Sequence, residues 1–172
     1  MSKSSSILVG SEKGTVWMKL EGRGTFENSR CVKEFVQRMI SKGHSEFILD
    51  LEKCELMDST FMGTLASVAF SLRELENGLL RVVRANSRNF SLLEGLGLDH
   101  LFQVEADPAI GRPQEMQKAG VAGAAPGEQI AAILAAHEAL VDANPLNAVR
   151  FQDVIEYLRQ EIAEGQSDPE RR

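Results

Sequence analysis

Two cysteines, three histidines, one tryptophan and one tyrosine are all that the 172 residues hold of the rarer reactive and ring-bearing side chains. Cys31 and Cys54 are not a C-x-x-C pair, and His44 lies at ligand spacing from neither. A zinc site and a disulfide scaffold are therefore not expected, and both cysteines read as reduced, partly buried thiols of a cytosolic protein. Long apolar runs are missing too: nothing approaches the roughly 20 residues that span a bilayer. The N-terminus, MSKSSSILVGSEKG, offers only Ile7-Leu8-Val9 before polar residues return, too little for a signal-peptide h-region. A cytoplasmic location without membrane contact is the expectation. No Lys/Arg-rich run exists, and 19 basic against 25 acidic residues leave a net charge of −6. Such a surface is a poor general binder of nucleic acid, whose phosphates need a basic face.

Catalytic signatures are equally scarce. There is no G-x-x-x-x-G-K-[ST] loop, no G-x-G-x-x-G at a strand-to-helix turn and no G-x-S-x-G elbow. Glu94-Gly95-Leu96-Gly97 ends a helix, the wrong place for a phosphate cradle. His44, His100 and His137 are scattered; His137 falls on an apolar helical face and reads as a packed histidine, not a ligand. No nucleophile, base and orienting group assemble in the sequence, so no enzyme, metal or cofactor is expected.

What is present is an alternation of strands and helices. Ile7–Val9 and Thr15–Leu20 read as strands joined by turn residues 10–14, with Val16, Met18 and Leu20 on one face. A helix is predicted from about Ser29 to Lys42, capped by Asn28 or Ser29, with Val32, Phe35, Val36 and Met39 in its stripe. Glu46–Leu51 reads as a buried strand. A second helix opens at Asp58-Ser59-Thr60 and runs to about Glu76 with Phe61, Leu65, Val68, Leu72 and Leu75 on one face. Leu79–Val83 is the next strand. Ser87–Leu96 is a short helix with Phe90, Leu93 and Leu96 on one side, and Leu101–Val104 a last short strand. This order predicts an α/β fold: a mixed, mostly parallel sheet with helices packed on it.

Composition shifts at Asp107 to a Gly-, Ala- and Pro-rich stretch. The expected division is a domain over 1–106, a linker over 107–126, a C-terminal helical hairpin over 127–165 and a disordered tail over 166–172. In the hairpin Ile130, Ile133, Leu134, His137, Leu140 and Val141 share one face. Phe151, Ile155, Leu158 and Ile162 share another. Pro145 suits the first turn of the second helix. Two such helices cannot bury their faces alone, so they should dock on their own sheet, a second copy or another protein.

One segment stands out: a strand ends at Leu49-Asp50-Leu51, and Asp58-Ser59-Thr60 starts a helix. The plain role for these residues is helix capping. The same geometry suits a switch. A phosphate in a helix's first turn is tolerated by the helix dipole and free N–H groups, while about −2 of added charge repels a partner.

ILDLEKCELMDSTFMGTLASV resembles the signature of STAS domains, where a buried strand leads to an Asp-Ser-Ser-Gly-x-Gly-like helix start. LLRVVRANSRNFSLLEGLGLDHLFQVEAD resembles the end of the same domain, so that the resemblance covers Ile7 to Asp107. It implies a STAS-like fold and an anti-sigma factor antagonist. Such a protein binds an anti-sigma factor of the serine-kinase type, is phosphorylated by it and is reset by a metal-dependent serine phosphatase. Ser59 would be the phosphoacceptor, with Thr60 as the alternative, and Asp58, Ser59, Thr60, Phe61, Met62 and Gly63 would form the docking surface. The sequence departs from the pattern where Thr60 replaces the second serine and Phe61-Met62 replace the usual Gly-Leu. The C-terminal helices lie outside the minimal domain and are available for covering it or for pairing into a homodimer. Two further readings stay open. One is a STAS-like scaffolding module without phosphate cycling. The other, a nucleotide- or lipid-binding sensor or an enzyme, ranks last because no glycine-rich phosphate loop supports it.

Overall fold

The chain enters the sheet through a hairpin, β1 (Ser6–Glu12) and β2 (Thr15–Gly24), paired from Ser6↔Glu21 to Glu12↔Thr15. This is a computed structural model, describing residues 4–106, 111–119 and 126–167. After β2 come α1 (Phe26–Ser41), β3 (Glu46–Asp50), β4 (Cys54–Met57) and α2 (Ser59–Arg73). Then follow β5 (Leu79–Val83), α3 (Ser87–Gly95), a 3-10 turn at Leu98–His100 and β6 (Gln103–Glu105). The chain ends with β7 (Gln117–Lys118), α4 (Pro126–Ala143) and α5 (Asn147–Ser167).

The sheet order is β6-β5-β3-β2-β1-β7, with β4 paired to the far end of β2. β2, β3, β5 and β6 are parallel, and only the β1 pairings are antiparallel, so the expected mixed, mostly parallel sheet is present. Strand alternation divides the two faces. Val16, Met18, Leu20, Phe47, Leu49, Leu80 and Val82 join the main core with residues of α1, α2, α3 and α4. Trp17, Ile48 and Val83 point the other way and are covered by Met116.

Several local expectations are corrected. α1 begins three residues earlier than its predicted start at Ser29, because Thr25 is the N-cap. Asn28 sits at the third helical position and closes a capping box by accepting from the Thr25 N–H at 2.8 Å. α2 ends at Arg73 instead of Glu76. The last strand is Gln103–Glu105 because Leu101 closes the 3-10 turn. Phe90 is exposed and not part of the buried side of α3. Within the stretch read as a linker, β7 pairs with β1 through Leu8↔Lys118 and Val9↔Gln117. Other parts of that stretch, 107–110 and 120–125, and residues 168–172 of the predicted tail lie outside the described residues.

α4 docks along α2, and α5 packs on α4. Ala136, His137, Ala139, Leu140, Ile155 and Leu158 are buried by this packing. The hairpin therefore covers a helix of its own chain. Asn147 fixes its turn to the domain, donating from Nδ2 to the Leu96 carbonyl at 3.0 Å and the Leu140 carbonyl at 2.8 Å.

Both cysteines are reduced and buried. Burial pushes the Cys54 thiol from its ordinary 9.0 up to about 11. Between those values the unfolded chain has released the proton and the folded chain still holds it, so stability falls as pH rises. Alkaline melts should show this decline, and Cys54→Ala should flatten it; an unchanged slope in the variant would assign the decline to other groups.

Candidate functional site

The end of β4 and the start of α2 are tied together by one carboxylate. Asp58 is the N-cap of α2; its Oδ1 accepts from the Phe61 N–H at 2.8 Å. Its Oδ2 accepts from the Phe26 N–H at 3.2 Å, in the first turn of α1. Its own N–H donates to the Gly24 carbonyl at 2.8 Å. The capping role read from the sequence is thus performed by Asp58, and it joins two helix starts to β2.

Ser59 is the first residue of α2 and is half-buried. Its Oγ lies 3.0 Å from His137 Nε2, across 78 positions of sequence. His137 Nδ1 lies 2.8 Å from the Ile133 carbonyl, which can only accept, so Nδ1 carries the proton. In the neutral ring Nε2 is then the acceptor, and the Ser59 hydroxyl donates to it. The ring is 4% exposed and meets Phe151 edge-on at 5.3 Å between centroids.

The remaining residues of the segment turn inward. Thr60 is buried, and its carbonyl accepts from the Thr64 hydroxyl at 2.9 Å. Phe61 is fully buried, with its ring under Gly24. Met62 is buried beside a groove that it lines with Arg88, Leu92, Leu96, Arg150 and Phe151. Gly63 faces α4 so closely that a Cβ there would collide with the Ala136 carbonyl. Of the docking surface drawn from the sequence, Asp58 and Ser59 are half-exposed and Thr60 to Gly63 are covered.

Sequence reasoning placed His137 correctly as a packed residue but missed its partner. Two signals pointed to it. A polar ring on an apolar helical face needs a hydrogen bond when buried. Glycine at position 63 on α2 leaves room for a second helix to approach.

A Ser–His pair oriented by a backbone carbonyl also has the outline of a nucleophile and base, but two N–H groups at the helix starts beside it are already engaged. The N–H groups of Phe61 and Phe26 are occupied by Asp58 and cannot hold an oxyanion. A groove of about 600 Å³ between α1, α2 and α4 is lined by Phe26, Arg30, Thr60, Thr64, Ala132 and Ile133, and not by Ser59 or His137. Among the described residues no cluster of His, Cys, Asp or Glu is placed to hold a metal ion, and no helix is long and apolar enough to cross a membrane.

Residues 7–104 match the family model described as Mlab, STAS domain. The chain belongs to the STAS domain family. No curated protein matches it. Three solved structures are similar to it. A putative anti-sigma factor antagonist from Thermotoga maritima is 21% identical, with 59% of this chain and 86% of that one covered, at a TM-score of 0.52. An anti-sigma factor antagonist from Mycobacterium paratuberculosis is 20% identical, covering 61% and 90%, at 0.54. The anti-sigma factor antagonist SpoIIAA in its unphosphorylated form is 15% identical, covering 62% and 90%, at 0.50. At these identities the likeness is one of fold. The STAS match ends at residue 104, so β7 and the α4–α5 hairpin lie beyond it.

Proposed function

We propose that this STAS protein is a regulatory binding protein of the anti-sigma factor antagonist type. It engages an anti-sigma factor of the serine-kinase class at the start of α2, and phosphate on Ser59 ends that engagement. A metal-dependent serine phosphatase would restore the binding form. The observation that supports this reading is the position of Ser59. It is the first residue of α2, directly after the N-cap Asp58 and inside the matched region. A phosphate there is tolerated by the helix N-terminus but sets two negative charges against a docked partner.

The test is a pull-down from native lysate with wild type, Ser59→Ala and Ser59→Asp. Wild type and Ser59→Ala should retain a kinase-like anti-sigma factor. Ser59→Asp should lose it by at least about 10-fold, because a like charge at an interface costs several kcal/mol. Equal retention by all three baits would sink the switch.

A scaffolding module without phosphate cycling is the second reading. It is favoured by the hydrogen bond that holds Ser59 against His137 beneath α4. Mass spectrometry of the native protein separates the two: phosphate on the Ser59 peptide supports the switch, and a consistently unmodified peptide supports the scaffold.

A further inference from the structure

The hairpin lies on the same helix that carries the switch serine. We propose that α4–α5 is an intramolecular lid over the start of α2, latched by the Ser59–His137 hydrogen bond, and that negative charge on Ser59 releases it. The meaning of the lid for signalling rests on the reading of Ser59 as the phosphoacceptor.

Three observations carry the lid. First, Ser59 Oγ is in direct contact with the hairpin at 3.0 Å, leaving no space between hydroxyl and ring for a phosphoryl group. Second, the acceptor is set. His137 Nδ1 donates to Ile133, so Nε2 turns a lone pair towards Ser59. A hydroxyl satisfies that lone pair. A carboxylate or a phosphate dianion offers only acceptors and cannot make that hydrogen bond to the neutral ring. Third, the closest approach of α4 to α2 is made by small groups: Gly63 lies against the Ala136 backbone, with Ala139 and Leu140 buried beside it. Such contacts are lost together when the helices part by the width of a methyl group.

His137 is 4% exposed and packed edge-on against the Phe151 ring, with its Nδ1 held by the Ile133 carbonyl. Asp58, half-exposed beside Ser59, has its carboxylate engaged with two backbone N–H groups.

A closed lid and an engaged anti-sigma factor need the same face of α2, so the unmodified chain binds only through its open fraction. Charge on Ser59 enlarges that fraction but ends the engagement by repulsion, and the opened form is the one a phosphatase must reach. Opening would also uncover Met62 and Gly63, returning the covered part of the docking segment to solvent.

The lid is tested on the full chain, without any partner, by hydrogen–deuterium exchange of wild type, Ser59→Asp and Gly63→Ala. Ser59→Asp mimics the charge at a helix position that favours an acidic residue. Gly63→Ala drives a methyl group into the Ala136 carbonyl and wedges the hairpin away from α2 independently of Ser59. Both variants should raise exchange in α4 and α5 by about 10-fold or more while β2, β3 and β5 keep their protection. Hairpin protection in Ser59→Asp at or above the wild-type level would overturn the proposal, whether Gly63→Ala opens the hairpin or not. Exchange rising equally in the strands would overturn it too, because the hairpin would then unfold with the domain instead of opening from it. Because exchange is read with no partner present, a lid that opens while no anti-sigma factor is ever captured would count against the proposed function alone.

Discussion

Replacing Phe61 with alanine should lower the unfolding free energy by about 3–5 kcal/mol, the range for a fully buried phenyl ring. Phe61 is the third residue of α2 and 0% exposed. The backbone of β2 rests on its ring: a Cβ on Gly24 would come within 2.8 Å of it. β2 is held on both sides, by β1 and β3, and its end by β4, so it has little freedom to collapse into the space left behind. Urea unfolding followed by circular dichroism measures the loss, and Phe61→Leu should lose less because it retains most of the volume. A loss below about 1 kcal/mol would mean that the site closes around the missing ring. The result bears on function as well. A bulky residue stands where the family usually has glycine, and the structure turns it into the core, away from any docking edge.

Arg84→Met should be nearly as damaging, at about 3–5 kcal/mol, because it leaves a buried carboxylate without its main cation. Asp50 ends β3 and is 1% exposed. It accepts from Arg84 Nη2 at 2.9 Å and Nε at 3.3 Å, and from the Glu52 N–H at 3.0 Å. Arg112 adds a longer contact, Nε to Oδ2 at 3.8 Å, and reaches Glu52 Oε2 at 3.1 Å. Arg84 adopts a left-handed backbone, φ 55°, directly after β5, a conformation uncommon for residues other than glycine. For a chain of this size the melting temperature should fall by about 10 °C. The double variant Asp50→Leu/Arg84→Met should recover much of the loss, since a buried pair replaced on both sides by apolar groups is close to neutral. A single variant with a near wild-type melting temperature would show that Arg112 alone neutralises Asp50.

The layout of the sheet was readable because its strands follow simple rules. Val16, Met18 and Leu20 alternate with Trp17, and the two sets do line opposite faces. Glu46–Asp50 and Leu79–Val83 are short apolar runs between helices, as central parallel strands should be. β4 was invisible for a physical reason. Cys54-Glu55-Leu56-Met57 has no β-branched residue, and its pairing is set by the irregular end of β2, where the register shifts between Gly22 and Arg23. β7, only Gln117–Lys118, has no pattern that a sequence could display. The start of α1 was misplaced because Asn28, a good capping residue, does take part in the cap, but from inside the helix. At the site, Asp58 and Ser59 were found from turn chemistry and resemblance. The latch was not, because periodicity shows that the faces of α4 and α5 must be buried without showing against what. Only the fold brings Ser59 and His137 together.

The lone tryptophan sits on the sheet face that the hairpin never touches. Trp17 is buried against Ile48, Val83 and Met116. The single tyrosine, Tyr157, is on α5 and 60% exposed. The molecule therefore carries two separate optical reporters. Tryptophan emission, shielded from aqueous quenchers, follows the integrity of the sheet and the 111–119 segment laid over it. It should stay silent when the hairpin lifts, so a change in tryptophan colour during signalling would place the motion on the opposite side of the protein from Ser59.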